Sequence, residues 1–121
     1  MDKINLQEKF ALFDELWSPK IIGEANGQFI KIAKTNGEMV WHKHDDEDEI
    51  FIVIKGKFIL EMRDKTVELQ AGEIYVMPRG VEHRPRATEE THVLLIEPKK
   101  TAHTGTTQTT MTVAIENQNW I

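Results

Sequence analysis

The chain of 121 residues carries 20 acidic and 15 basic side chains, a formal net charge of -5 and no cysteine. An acidic balance without a long basic run argues against a surface for nucleic acid or for an anionic membrane. The lack of cysteine excludes disulfides, thiolate metal ligands and a cysteine nucleophile. The length predicts one domain over residues 1–121. Neither a basic leader nor an apolar run of ~20 residues is present, which predicts a cytoplasmic protein.

The first twenty residues contain the one good helix pattern of the chain. Asn5, followed three residues later by Glu8, is typical of a helix N-cap. Ser18 and Pro19 end the pattern, so we expect a helix within residues 1–20 whose apolar stripe covers part of a sheet. The stripe consists of Leu6, Phe10, Phe13 and Trp17.

From Ile21 onward the pattern changes to the two-residue period of β-strands. Asn36 and Gly37 predict a two-residue hairpin. Gly56 predicts a second hairpin, after a strand that is apolar on both faces. Because no helix separates these short segments, they predict an all-β, antiparallel sandwich or barrel over residues 21–98. The predicted strands are Gln28–Lys34, Glu38–His44, Glu49–Lys55, Lys57–Arg63, Thr66–Leu69, Glu73–Met77, Glu82–Ala87 and His92–Glu97.

Residues 99–121 form a C-terminal extension that we expect to dock on the barrel. Thr101–Thr110 is rich in Thr and Gly and is predicted to be a loose connection. Met111–Ile115 has the composition of one further strand. Trp120 and Ile121 are too apolar for a free tail.

Three histidines are placed where their side chains can meet. If residues 38–44 form a strand, His42 and His44 project from the same face. Further along, Pro78 fixes its own φ and Gly80 allows a sharp change of direction, which places His83 at the start of a strand. Two imidazoles from one segment and a third from a distant one are available to share a metal ion.

The carboxylate partner of these histidines is expected to be Glu49, which begins the buried strand, with Glu47 as its rival. His92 lacks a motif partner and His103 lies in the Thr-rich segment, so both are expected to be structural or exposed. Three further acidic residues are predicted to form a solvated turn: Asp45, Asp46 and Asp48.

Two glycine-framed motifs make this chain resemble the cupin superfamily, in its small single-domain form. The first motif is matched by Gly37, His42, His44, Glu49 and Gly56, and the second by Gly72, Pro78, Gly80 and His83. The resemblance implies a jelly-roll barrel, also called a double-stranded β-helix. It also implies that the metal ligands are His42, His44, Glu49 and His83. The interval from Gly37 to His42 is one residue shorter than usual, and Ala87 stands where the family carries asparagine.

Three imidazoles and one carboxylate suit one divalent transition metal, with Fe, Mn, Zn, Ni and Co not distinguished. A six-coordinate ion would keep positions open for substrate, water or dioxygen. Similar cupins include dioxygenases, isomerases, decarboxylases and lyases. The leading hypothesis is therefore a metal-dependent enzyme acting on a small polar or anionic molecule. The alternative is a non-catalytic module that binds or senses a sugar or another small molecule. No acid or base is assigned among the conceivable Glu38, Glu61, Tyr75 and His92.

The two faces of the strand Glu49–Lys55 predict a cavity and an interface. One face carries Glu49, and the predicted cavity walls are Phe51, Val53, Phe58, Tyr75 and Met77. Arginines near His83 are candidates for binding a carboxylate or phosphate at the cavity mouth: Arg79, Arg84 and Arg86. The other face needs a cover, from the N-terminal helix or from a second copy, and it carries Ile50, Ile52 and Ile54. Since homodimers are common among single-domain cupins, we expect a homodimer.

Overall fold

The structure is a computed structural model that describes residues 2–105, 107, 112, 113 and 118–121. Within these residues all strand pairs are antiparallel, which confirms the predicted all-β class. The strand predicted at Met111–Ile115 lies largely outside the described residues. The elements are α1 (Leu6–Phe10), β1 (Lys20–Ala25), β2 (Gln28–Glu38), β3 (Glu49–Lys55), β4 (Lys57–Met62), β5 (Thr66–Gln70), β6 (Ile74–Met77) and β7 (His83–Pro98).

The barrel is built around the long strand β7. Its second half, residues 91–98, pairs with β2 on one side and β3 on the other. Its first half, residues 83–87, pairs with β4 and with the end of β2. Strands β1 and β6 complete one sheet in the order β1-β2-β7-β3-β6, and β5 extends the other sheet beyond β4. Because β2 and β7 pass from one sheet into the other, the two sheets enclose one jelly-roll core.

The hairpin predicted at Asn36 and Gly37 is wrong, since β2 runs through both residues. Gly37 has a φ of +82° and pairs with Ala87, while Thr35 pairs with Thr91. One residue of β2 therefore faces three residues of β7 between these pairs, which is a bulge at which both strands bend. The bend also explains why β7 is one strand where two had been predicted.

The second predicted hairpin is also wrong, because β3 and β4 do not pair with each other. Gly56 instead turns the chain from one sheet into the other, with a φ of +89°. A Cβ on Gly56 would lie 2.5 Å from the Oγ1 atom of Thr91. The same Oγ1 atom accepts a hydrogen bond from the Lys57 N–H at 3.2 Å. The corner is thus packed against β7 with no room for a side chain.

The N-terminal helix is shorter than the apolar spacing predicts. The Asn5 cap is confirmed, since its side chain accepts a hydrogen bond from the Glu8 N–H at 3.0 Å, but α1 ends at Phe10. Beyond it the chain extends along the edge of β2, where the Trp17 N–H donates to the Lys34 carbonyl at 2.8 Å. Backbone bonds to a sheet edge therefore replace the last turns of the predicted helix.

Two apolar clusters occupy opposite faces of the larger sheet. The inner cluster lies between the sheets and includes Phe51, Val53, Phe58, Leu60, Met77 and Val93. The outer cluster joins Phe10 and Phe13 to Ile22 and Ile32. At the end of the chain, the Ile21 N–H donates to the Asn119 carbonyl at 2.8 Å, and Trp120 packs edge-on against Phe29. In the described part of the chain, no helix has the length and apolar character needed to span a bilayer.

Candidate metal centre

Four buried side chains converge inside the barrel: His42, His44, Glu49 and His83. Glu49 begins β3 and His83 begins β7, whereas the two other histidines lie in the loop 39–48. One possible ligand atom from each side chain lies within 4.8 Å of the others. All four residues are buried, with at most 6% of their surface exposed. The structure therefore brings together, from three segments, the four residues named from the sequence as a group that could hold a metal ion.

The loop 39–48 replaces a strand that had been predicted over residues 38–44. β2 ends at Glu38, and His42 then forms an isolated backbone bridge with His83. The N–H of each residue donates to the carbonyl of the other, at 3.0 Å and 2.9 Å. The His42 and His44 rings still lie close, with centroids 5.2 Å apart. The expected proximity holds, although the two histidines lie in a loop whose backbone bonds run to His83 and Gly80 rather than in a regular strand.

Backbone carbonyls fix the tautomers of two of the histidines. The Nδ1 atom of His42 lies 2.9 Å from the Val40 carbonyl oxygen, and that of His83 lies 2.9 Å from the Val81 carbonyl oxygen. Because a carbonyl can only accept, Nδ1 carries the proton and the Nε2 atom of each neutral ring carries a lone pair. This arrangement is typical of histidines that bind a metal through Nε2.

The atoms at the centre of the group fit a metal ion. Among the described residues, no hydrogen-bond partner meets either ring nitrogen of His44, the Glu49 Oε1 atom or the His83 Nε2 atom. Glu49 Oε1 lies 2.9 Å from His44 Nε2 and 3.6 Å from His83 Nε2, without the alignment of a hydrogen bond. Two ligand atoms that each lie about 2.1 Å from one ion are about 3.0 to 3.4 Å apart when the ligand–metal–ligand angle is between a right angle and the tetrahedral angle. The spacing of these atoms is therefore close to that of ligands around one cation.

The electrostatics favour a neutral His42 and an ionised Glu49. Burial, reinforced by His83, lowers the pKa of His42 to about 4, so this ring is neutral near pH 7. Burial opposes the charge of Glu49, yet contacts with His44 and His83 hold the pKa of its carboxyl well below the ordinary value. Burial also opposes the charge of His44, but Glu49 outweighs it and raises the pKa of His44. An ionised Glu49 carboxylate thus stands beside a neutral His42 and a His44 ring from which a bound cation would displace a proton.

A second buried carboxyl, that of Glu97 on β7, lies next to Glu49. Ile50 of β3 pairs with Ile96 of β7, so the antiparallel register places Glu49 opposite Glu97 at the next position. Burial and the Glu49 carboxylate raise the pKa of Glu97 well above its ordinary value. The Lys31 Nζ atom lies 2.8 Å from Glu97 Oε1, and both side chains are at most 5% exposed. This network was not predicted from the sequence, although strand parity turns Glu97 toward the interior.

A cavity of about 50 Å³ adjoins the group and is lined by both His42 and Glu49. Of the predicted walls, Phe51 and Phe58 line this cavity, whereas Val53 and Met77 belong to the apolar core. The Tyr75 ring packs against that core, with its hydroxyl 3.7 Å from the Met62 sulfur. The remaining walls are mainly apolar: Trp17, Pro19, Ala33, Thr35, Met39, Pro85, Val93, Leu95 and His103.

Most other sequence candidates lie outside the cavity. The Arg79 side chain and backbone N–H contact Asp48, and Arg84 contacts Glu61, as does Arg86. None of the conceivable acids or bases named from the sequence lines the cavity. His92, for example, stacks on Phe10 with ring centroids 4.4 Å apart. The acidic turn of Asp45, Asp46 and Asp48 is exposed, and Glu47 is half-buried outside the four-residue group.

His103 is a polar pocket residue that the sequence interpretation missed. It was expected to be structural or exposed, because a Thr-rich segment without strand or helix periodicity surrounds it. The structure places it in the cavity wall with His42 and Glu49. Contacts between segments far apart in the chain determine this position, and the local sequence pattern does not predict such contacts.

The fold and the four-residue group define a cupin, and comparison with known proteins agrees. Residues 29–99 match the cupin domain family, so the chain belongs to the cupin family. The predicted resemblance is confirmed.

Individual relatives match most of this chain. A crystal structure of a cupin-2 domain containing protein from Shewanella frigidimarina NCIMB 400 is 50% identical with a TM-score of 0.78, covering 78% of this chain and 93% of that one. Protein NMB1881 from Neisseria meningitidis is 31% identical with a TM-score of 0.74, covering 80% of this chain and 99% of its own. Uncharacterized protein YdbB of Bacillus subtilis strain 168 is 38% identical over 80 residues, which are 65% of this chain and 71% of YdbB.

Proposed function

We propose that His42, His44, Glu49 and His83 bind one divalent transition metal ion and that the protein is a metal-dependent enzyme acting on a small polar or anionic molecule. The observation that carries this proposal is the convergence of buried, unpaired donor atoms beside a cavity. Leaving such atoms buried without a partner costs about 1–3 kcal/mol each, which a bound cation would offset. When bound, the ion would supply Lewis-acid activation of a substrate oxygen or of water.

The chain itself would orient the ligands and exclude water. The Val40 and Val81 carbonyls keep the protons of His42 and His83 on Nδ1, so that Nε2 is free to bind. Apolar walls such as Phe51 and Phe58 keep the surroundings of the site at low polarity, which strengthens electrostatic interactions with a substrate. A volume of about 50 Å³ restricts the substrate to a compact molecule.

Metal analysis of the untagged protein tests the metal site. We expect one equivalent of a divalent transition metal, either as purified or after reconstitution at pH 7.5. His44→Gln is the preferred variant, because no protein hydrogen bond to its ring is lost, and its metal affinity should fall at least about 100-fold. His92→Gln, outside the cavity, is the matched control and should bind metal normally. A chain that takes up no metal, or a His44→Gln variant that binds as tightly as the parent, would contradict the site.

Catalysis is tested separately from metal binding. The protein reconstituted with iron, manganese, zinc, nickel or cobalt would be incubated with small acids, sugars and their phosphates, and products and oxygen consumption would be measured. Turnover by the parent that is lost in His44→Gln supports an enzyme. Saturable binding of a small molecule without conversion supports the alternative, a non-catalytic sensing module.

We also propose that the protein is a homodimer formed through the outer face of the larger sheet. Two cross-strand rows on this face are entirely apolar: Val76, Ile50, Ile96 and Ile30, and Ile74, Ile52, Leu94 and Ile32. The outer cluster covers one end of the rows and packs against Ile54. Its N-terminal residues Phe10 and Phe13 are thus one of the two covers expected from the sequence. At the β6 end, Ile74 remains 59% exposed and Val76 remains 50% exposed. An exposed apolar patch can pack against the same patch of a second copy, as a two-fold interface requires.

Light scattering coupled to gel filtration tests the dimer. The parent should show twice the protomer mass, and Ile74→Glu combined with Val76→Lys should show the protomer mass, because each copy would then bury charges at the interface. Leu12→Glu is the matched control, since Leu12 is 64% exposed and lies outside the rows. A monomeric parent, or a dimer that survives both substitutions, would refute the assignment.

A further inference from the structure

The segment that follows β7 packs against the loop that carries His42 and His44. We call residues 101–105 the strap. Thr101 and Thr104 of the strap are fully buried. Gly105 has a φ of +56°, and a Cβ there would lie 1.8 Å from the Lys43 carbonyl oxygen. The strap backbone therefore lies directly against the loop backbone, at a distance that only glycine permits.

A hydrogen bond fixes the tautomer of His103, the strap residue in the cavity wall. The Val113 N–H donates to its Nδ1 atom at 2.9 Å. Since Nδ1 accepts, the neutral ring carries its proton on Nε2. Burial, followed by the charge of Lys31, lowers the pKa of His103 to about 4, so the ring is neutral near pH 7. His103 is thus a hydrogen-bond donor through Nε2, the opposite of His42 and His83.

His103 is separate from the four-residue group and from the part of the chain that defines the family. Among the described residues, the group whose ligand atoms lie within 4.8 Å of one another does not include it. The match to the cupin domain family ends at residue 99, before the strap begins. The strap therefore adds a polar group to a cavity whose other walls are largely apolar.

We propose that His103 is a substrate-binding residue, whose Nε2–H donates a hydrogen bond to an oxygen of a small carboxylate held at the metal centre. This inference rests on the proposed metal site. If one carboxylate or keto oxygen of the molecule bound the ion, another oxygen of the same molecule could accept the hydrogen bond from His103. The buried Lys31 and a divalent ion together outweigh the carboxylates of Glu49 and Glu97, so the cavity favours an anion. The short apolar part of the molecule would face Phe51, Phe58 and Leu95.

Titration of the cobalt(II) form with pyruvate tests this inference, because cobalt absorption reports both metal and anion binding. In His103→Phe, which keeps a ring but removes the donor, pyruvate affinity should fall about 10- to 100-fold, as for loss of a hydrogen bond to a charged group. His103→Gln, whose amide nitrogen can take the place of Nε2, should retain affinity within about threefold.

The metal titration distinguishes the possible failures. Cobalt affinity should be unchanged in both His103 variants, and a parent that binds no cobalt would sink the proposed function itself. If the parent binds cobalt but not pyruvate, or if His103→Phe binds pyruvate as tightly as the parent, the role of His103 is overturned. A parallel loss of cobalt affinity in His103→Phe would also overturn it, because His103 would then act on the metal rather than on the substrate.

Discussion

Replacing Lys31 with methionine tests the buried charge network beside the site. Lys31 is 1% exposed and Glu97 is 4% exposed, and their charged atoms lie 2.8 Å apart. Removing one partner of a buried ion pair costs about 3–5 kcal/mol. We expect about 3 kcal/mol, the lower end, because burial and Glu49 raise the pKa of Glu97, so its carboxyl can take up a proton once Lys31 is removed. For a chain of this size that loss corresponds to a melting temperature lower by roughly 12 °C.

Urea unfolding followed by tryptophan fluorescence measures this cost. A chelator is included, because bound metal would add its own stabilisation. The double variant Lys31→Met with Glu97→Gln should recover at least about 2 kcal/mol, since the neutral amide needs no cation and can donate to Glu49. Lys99→Met is the surface control: its pair with Glu24 is nearly half exposed, so the loss should stay below about 1 kcal/mol.

Two outcomes would refute this reasoning about the pair. Lys31→Met could cost no more than the surface control Lys99→Met, in which case burial does not strengthen the interaction with Glu97. The double variant could instead lose the sum of the two single losses, in which case Lys31 and Glu97 act independently.

Two further predictions concern pH and a sheet corner. Between pH 6.5 and 4 the unfolded chain binds protons at His42 and His103 that the folded metal-free protein excludes, since burial lowers the pKa of both to about 4. These two histidines should therefore each add up to about 3 kcal/mol to the free energy of unfolding as pH rises through this window, whereas Glu97, with its raised pKa, acts in the opposite direction. Urea titrations at several pH values isolate the histidine contribution as the difference between the parent and His103→Gln, which should be larger at pH 6.5 than at pH 4. Gly56→Ala should cost at least about 2 kcal/mol in the same assay, because the new Cβ meets Thr91, whereas Gly27→Ala, at a similar φ but in open space, should cost about 1 kcal/mol.

The strands were predictable where side-chain periodicity decides them, and not where a distant partner does. The bounds of β3, Glu49–Lys55, agree with the prediction because its residues are apolar and β-branched between turn residues. Asn36 and Gly37 carry a signal that suits both a hairpin and a bulge. The choice is made by pairing with Ala87 and Thr91, about fifty residues away. Local sequence does not contain that information.

The same limit applies to the site. His42, His44, Glu49 and His83 could be named together because their motif spacings are those of the cupin family. Lys31 and Glu97 were missed, since their contact depends on the register of β2 against β7. His103 was missed because a bond to Val113 and the contact of the strap with the loop 39–48 hold it in place.

The four candidate ligands differ in how firmly the fold holds their backbones. Glu49 and His83 belong to strands paired within the sheets, whereas His42 and His44 lie in the loop 39–48. Regions with few backbone pairs open locally at much lower free energy than the core of a sheet. Outside the bridge between His42 and His83, hydrogen exchange should therefore be faster in this loop than in β7.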